Sequence, residues 1–392
     1  MPDRPGGVAA AGVSALPATV VRDARLDVFR GLALVMIFIN HVPGNVFEQF
    51  TSRNFGFSDA AEAFVLMSGI SAGLAYSNGF RREGWAAFVS AAARVWGRAW
   101  SLYLVQMTIT VMAIAICAAA VKYFGLYNMI QRNNLGPLFR NPLGGLIGLP
   151  TLGHQLGYLN ILPLYIVLLL MTPAMFALGL RRPLALLCVS GTVWLCSGFW
   201  RINLPAYPNP GGWFFNPLAW QFLFVIGLCT GAAMKEGRRL VPLRPGLLQA
   251  SIAFALVVFL WMRVPEIGSM GRSALAEMRS WGIPSFLAGF NKTYLALPRL
   301  LHVLALFYIV SALPAVRAFC QNRWLWPLEI MGRHALTVFA AGSVLCILLQ
   351  AAKLWWPVGA GMDAFLIGSG LLVQLLLAMG REALARQRAA IA

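Results

Sequence analysis

Charge is the scarcest commodity in this chain. Only 11% of its 392 residues are Asp, Glu, Lys or Arg, and just 13 are acidic. Soluble domains carry about 25% charged residues, so an ordinary soluble enzyme is excluded. Histidine is scarcer still, at four residues. No two of them sit at i, i+4 with an acid, so the spacing that builds a helical metal site is missing. Six cysteines (Cys117, Cys188, Cys196, Cys229, Cys320 and Cys346) form no CxxC pair and lie mostly in apolar runs. They read as small packing residues rather than metal or redox ligands. No glycine-rich phosphate loop is present. Basic residues outnumber acids enough to give a net charge of +18, yet they are scattered between apolar runs. That scatter is what short cytoplasmic loops look like, and it excludes a nucleic-acid-binding patch.

What the chain has in abundance is apolar sequence: 59% of its residues are hydrophobic. Runs of about 20 such residues predict membrane-spanning helices. The expected fold is all-α, a polytopic bundle of about ten transmembrane helices whose first partner is the lipid bilayer. Candidate spans cover 26–46, 58–79, 99–121, 157–180, 184–200, 217–235, 247–264, 294–315, 328–350 and 362–380. Residues 1–22, rich in Ala, Gly and Pro, lack the pattern of a signal peptide and are expected to form a disordered cytoplasmic tail. Residues 23–392 are expected to form one membrane domain. With the N-terminus inside, twenty of the 31 basic residues fall on the cytoplasmic side, which predicts an N-in, C-in topology. The longer connections, about 122–156, 201–216 and 265–293, then lie outside. The segment 80–98 is expected to be a helix resting on the inner surface.

The stretch Leu26 to Gly44 concentrates the chemistry. Arg30 and His41 are eleven residues apart. Eleven helical steps bring two side chains to within roughly 20° of one face, about 16 Å apart along the axis. Asp27 lies one turn before Arg30 and is placed to orient it. Charged groups inside a membrane helix are costly and usually line a cavity or pathway. A lone histidine in a helix is more often a packed core residue. Here the membrane setting, the preceding Asn40 and the shared face with Arg30 favour function. Asn40 itself points about 100° away from His41. In the second span, Asp59 and Glu62 sit one turn apart at the depth of His41, where either could hold the imidazole; the plainer reading is a capped helix start. Ser68, Gly69, Ser71 and Gly73 follow, small residues that usually mean close helix packing. His154 precedes the fourth span, His302 lies inside the eighth, and Arg333 lies near the inner end of the ninth.

An arginine, ten residues, then a histidine resembles the signature of the membrane acyltransferase-3 superfamily. The stretches RLDVFRGLALVMIFINH, FSDAAEAFVLMSGISAGLAY and LEIMGRHALTVF more specifically resemble its OpgC-type branch, named for succinylation of osmoregulated periplasmic glucans. The resemblance implies an O-acyltransferase of the bacterial inner membrane. It would take an acyl group, succinyl first and acetyl next, from cytoplasmic acyl-CoA and pass it to a hydroxyl of a periplasmic glycan. No tightly bound cofactor is implied, and acyl-CoA is a co-substrate. Arg30 and Arg333 suit the phosphates of coenzyme A. His41 suits a general base, with a transient acyl-histidine left open. Ser68 would lie beside the acyl arm, and His154 and His302 on the glycan side. A secondary transporter or glycan flippase is the alternative. Against it, the polar groups concentrate in the first two spans, with no matching interrupted helices in two halves. A homo-oligomer is left open.

Overall fold

The computed structural model describes residues 23–356 and 359–391; the expected tail 1–22 lies outside the described residues. Among the described residues the ordered elements are all helices and there is no strand. Asp23 starts it: its carboxylate accepts from the Arg25 amide and caps α1 (Ala24–Asn40), whose first turn also carries Asp27, on the side the helix dipole favours. Then come α2 (Ala60–Phe80), α3 (Trp85–Phe124), three short helices α4 (Asn128–Arg132), α5 (Gly136–Arg140) and α6 (Pro142–Gly148), and α7 (Ile161–Gly179), α8 (Pro183–Phe199) and α9 (Pro217–Lys235). The rest comprises α10 (Pro245–Arg263), α11 (Pro265–Ser280), α12 (Leu297–Ala312), α13 (Pro314–Cys320), α14 (Trp326–Arg333), α15 (Ala335–Trp355) and α16 (Ala360–Ile391).

Each of the ten predicted segments contains a helix. Seven helices are long and apolar enough to cross a membrane, or eight if α12 and α13, bent by 81°, form one broken span. The bend falls at Leu313–Pro314, where proline cannot continue the hydrogen-bond ladder. Three expectations need correction. The segment 80–98 is no separate surface helix: Trp85 onward belongs to one unbroken helix of 40 residues, about 60 Å long, because nothing between Trp85 and Phe124 stops it. Residues 265–293 are no plain loop, since α11 fills their first half, opened by Pro265 and flanked by Glu266 and Arg279 at the ends where the dipole favours them. The predicted span 328–350 is broken at His334, whose backbone (φ −104, ψ 34) leaves the helical region and separates α14 from α15.

The centre of the bundle is the α2–α9 pair. A Cβ on Gly69 or Gly73 would strike the α9 backbone, and one on Gly227 or Gly231 would strike that of α2. The small-residue stripe thus lets two backbones touch. A second close approach joins α1 to α14. A Cβ at Gly31 would hit the Leu328 carbonyl, and one at Gly332 would hit the Asp27 carbonyl. This packing fixes where Arg30 and Arg333 stand relative to each other. The helix α10, with few buried residues, lies at the periphery. The three long connections gather at one end of the bundle: the Tyr207 amide donates to the Gly153 carbonyl (3.1 Å), and the Arg201 guanidinium donates to the Ser285 hydroxyl (3.0 Å).

Candidate active site along the first helix

Two ends of α1 carry polar groups, and α15 runs beside it between them. At the start of α1 lies a cavity of about 320 Å³ bordered by four arginines: Arg30, Arg98, Arg333 and Arg381. The Arg30 guanidinium donates to Asp27 Oδ1 (3.3 Å), to the Gly332 carbonyl (3.2 Å) and to the Ser71 hydroxyl. Asp27 is 3% exposed, so its charge is spent on holding this fork in place. Arg333 donates to Glu382 (2.9 Å) and Glu329 (2.6 Å), while its buried Nε finds no partner among the described residues. His334 shares Glu382 through its Nε2 (2.9 Å) and also borders the cavity. Among the described residues, no carboxylate pairs with Arg98 or Arg381. Positive charge is therefore in excess here, and the cavity suits an anion.

The break at His334 is what turns this corner of the bundle toward the cavity. Gly332 through Leu336 line the cavity, with the single non-helical residue, His334, among them. Ser68 also borders the cavity, one turn from Ser71.

His41 caps the far end of α1. Its ring stacks on Tyr158, centroids 4.5 Å apart and planes within 23°. Its carbonyl accepts from Gln350 Nε2 (2.7 Å), and Gln350 Oε1 in turn accepts from Asn133 (3.2 Å). The turn that follows is clamped from α15 and α16: Lys353 donates to the Gly44 carbonyl (2.8 Å) and to Asp363 (2.6 Å), and Asp363 accepts from the Val46 amide (2.9 Å). The histidine and the turn after it are thus held by Tyr158, α15 and α16, all distant in sequence.

Asp59 and Glu62 lie near this end but serve other partners. They form a capping box at the start of α2, in which Asp59 caps the Ala61 amide (2.9 Å) and Glu62 accepts from the Asp59 amide (2.9 Å). Their remaining lone pairs are taken by two cations. Lys292 pairs with Asp59 (2.5 Å), and Arg299 pairs with Glu62 (2.6 Å) and Asp59 (3.3 Å). Glu62 is 0% exposed; without Arg299 its charge would be prohibitively costly. Among the described residues neither carboxylate bonds the His41 ring, although the Asp59 and Lys292 charges both act on it through space.

The other candidates divide. Asn40 accepts from the Thr51 hydroxyl (2.9 Å) and so ties the 46–54 loop rather than facing the groove. His302 Nδ1 meets the Ser58 amide (3.2 Å) and hydroxyl (2.7 Å), and its ring packs near Phe57 and Phe254, which fixes the turn before α2. His154 is buried in the loop layer at the His41 end and bonds the Asn134 backbone, with no partner for its Nε2 among the described residues. Burial holds its imidazole below the ordinary histidine range. Sequence reasoning missed Arg98, Arg381, His334, Lys292 and Arg299. For the last two a signal existed: paired acids at the start of an apolar helix call for buried cations. For Arg98 and Arg381 none did, because their meeting depends on how α3 and α16 pack.

Comparison with known proteins decides the family. The model of the OpgC protein family matches residues 22–386. The chain belongs to the OpgC protein family. That match takes in both ends of α1, the capping box and the broken helix at His334. Membership places this OpgC chain among membrane enzymes of glucan modification and is consistent with acyl transfer. No curated protein and no solved structure gives a significant match.

Proposed function

We propose that this OpgC chain is a membrane O-acyltransferase that moves an acyl group from cytoplasmic acyl-CoA to a hydroxyl of a periplasmic glycan. One observation carries the proposal. An arginine-bordered cavity and a histidine lie about three turns apart on one face of α1. Coenzyme A is a polyanion at one end and a thioester at the other, joined by a long thin arm, and that pairing of ends matches it. Arg30 and Arg333, joined by Arg98 and Arg381, would hold the phosphates, with Asp27 and Ser71 fixing the Arg30 fork. His41 would take the proton of the acceptor hydroxyl, which attacks the thioester carbonyl; the thiolate leaves and recovers a proton. Among the described residues no side chain competes for the ring nitrogens of His41, which suits a base that must meet a substrate. The charge bias of the loops supports placing the arginine end in the cytoplasm and the His41 end, with its long loops, outside. That arrangement suits an inner membrane, with the donor on one side and the glycan on the other.

The donor follows the family resemblance: succinyl-CoA first, acetyl-CoA second. Purified protein given radiolabelled acyl-CoA and a glucan acceptor should transfer label to the glucan. Absence of turnover with either donor, together with uptake of glucan into proteoliposomes, would instead establish a transporter.

A further inference from the structure

A second, very small cavity lies further along the same face of α1. It measures about 10 Å³ and is bordered by Leu34, Ile37, Phe38 and His41 from α1. From α15 come Phe339, Gly342, Ser343 and Cys346. Both sets recur at three- and four-residue spacing, so each lies on one helical stripe. The arginine cavity continues the same two stripes toward the start of each helix, through Arg30 on α1 and Ala335 and Leu336 on α15. The two spaces are therefore consecutive parts of one groove between α1 and α15. Among the described residues Phe339 alone borders both. Its side chain is 4% exposed and lies 6.3 Å, ring to ring, from Phe64, which also borders the arginine cavity.

A space of about 10 Å³ holds one water at most. No thioester fits beside His41 in this packing. The residues beyond it, Gly342 and Ser343, are small, and a Cβ at Gly342 would already press on Gln374 Oε1 at 2.8 Å. The groove is thus narrow here, walled on its third side by Gln374 of α16, with Phe339 standing between its two parts.

We propose that the pantetheine arm of the donor threads this α1–α15 groove and that Phe339 is the gate it must displace to bring the thioester to His41. The inference rests on the acyl-CoA reading above and adds to it a route and a residue that controls entry. The gate also accounts for how a groove linking the two ends can stay shut to water when no donor is bound.

Phe339→Ala and Phe339→Trp test the gate. Packing alone predicts that Ala, which leaves a hole, harms the protein most. A gate predicts the reverse order for transfer: Trp slows it at least tenfold, while Ala keeps it or speeds it. Binding of adenosine 3′,5′-bisphosphate, which carries the phosphates without the arm, should stay within about twofold of wild type in both variants. Gly342→Leu, which fills the groove beyond the ring, should cut transfer at least fiftyfold with the same nucleotide binding retained. Near-normal transfer in Gly342→Leu, or Ala slower than Trp at Phe339, would overturn the gate. Failure of the wild type to bind either coenzyme A or the bisphosphate would instead remove the acyl-CoA reading and the route with it.

Discussion

The two ends of α1 are built from similar side chains but balance their charges differently. At the arginine end, Arg30 is matched by Asp27, and Arg333 by Glu329 and Glu382, which leaves Arg98 and Arg381 unmatched by any carboxylate among the described residues. At the His41 end, Lys292 and Arg299 are matched by Asp59 and Glu62, two against two. Arg98 and Arg381 are exposed, so water solvates them and their charge stays available to an anion that enters the cavity, whereas the quartet at the His41 end is matched within itself around the fully buried Glu62. The first end carries a surplus of positive charge that suits an anion; the second places His41 near a self-matched set of charges.

The largest effect expected from this contrast is chemical. His41→Ala removes the proton acceptor and should lower transfer by roughly 10² to 10⁴-fold, the range a general base contributes. Donor binding, which belongs to the other end, should stay nearly unchanged. Equal loss of donor binding in His41→Ala and in Arg30 variants would show that the two ends are one structural unit and would erase the distinction.

Next comes stability. Arg299→Met leaves the fully buried Glu62 without its cation and should destabilise the protein by about 3–5 kcal/mol. Thermal unfolding in detergent measures this. The double variant Glu62→Leu with Arg299→Met should recover part of the loss, because removing both charges of a buried pair is often neutral. At the other end, Arg381→Met should leave the unfolding temperature almost unmoved and weaken donor binding instead. A large loss of stability in Arg381→Met would mean that the arginine surplus is structural.

How much of this was legible beforehand follows from the range over which each feature acts. The first helix, its Arg30–His41 face and the Asp27 pairing are local, set by spacing within seventeen residues, and the chain alone displays them. The Gly69 and Gly73 stripe also spoke for itself as a packing surface. What stayed hidden arises from contacts hundreds of residues apart. Glu62 looked like a partner for His41 because both lie at one depth, but Arg299, 237 residues on, claims it. The break at His334 was masked because the apolar residues before it, Ile330 and Met331, and those from Ala335 onward read as one span across Gly332, Arg333 and His334. Only the backbone contact between Gly332 and Asp27 shows why a separate α14 is packed there.

A smaller effect is expected at Arg30 itself. Arg30→Lys keeps the charge but cannot reach Asp27, the Gly332 carbonyl, Ser71 and a phosphate with one fork. Losing about one charge-assisted hydrogen bond to the donor costs about 1.5 kcal/mol, or roughly tenfold in affinity. Isothermal titration with coenzyme A reads this directly. An unchanged affinity would move the phosphates to Arg98 and Arg381 and leave Arg30 as a strut for Gly332.

The smallest expected effect separates the ends by salt. Attraction between a ligand and a surplus of charge in a partly open cavity weakens as ions screen it, with a screening length falling from about 10 Å at 0.1 M to about 3 Å at 1 M. Donor affinity should therefore fall several-fold over that range. The quartet at the other end is half-buried around the fully buried Glu62 and self-neutralised, so salt should change it less. The rate of transfer at saturating donor, and the apparent affinity for a neutral glucan, should then change by less than about twofold. Measuring transfer against donor concentration at three salt concentrations separates the two: KM for the donor should climb while kcat stays level. If kcat falls in step with the rise in KM, charge matters as much at His41 as at the arginines. The balanced quartet would then open to solvent during turnover, with Lys292, the more exposed of its two cations, as the first residue to replace.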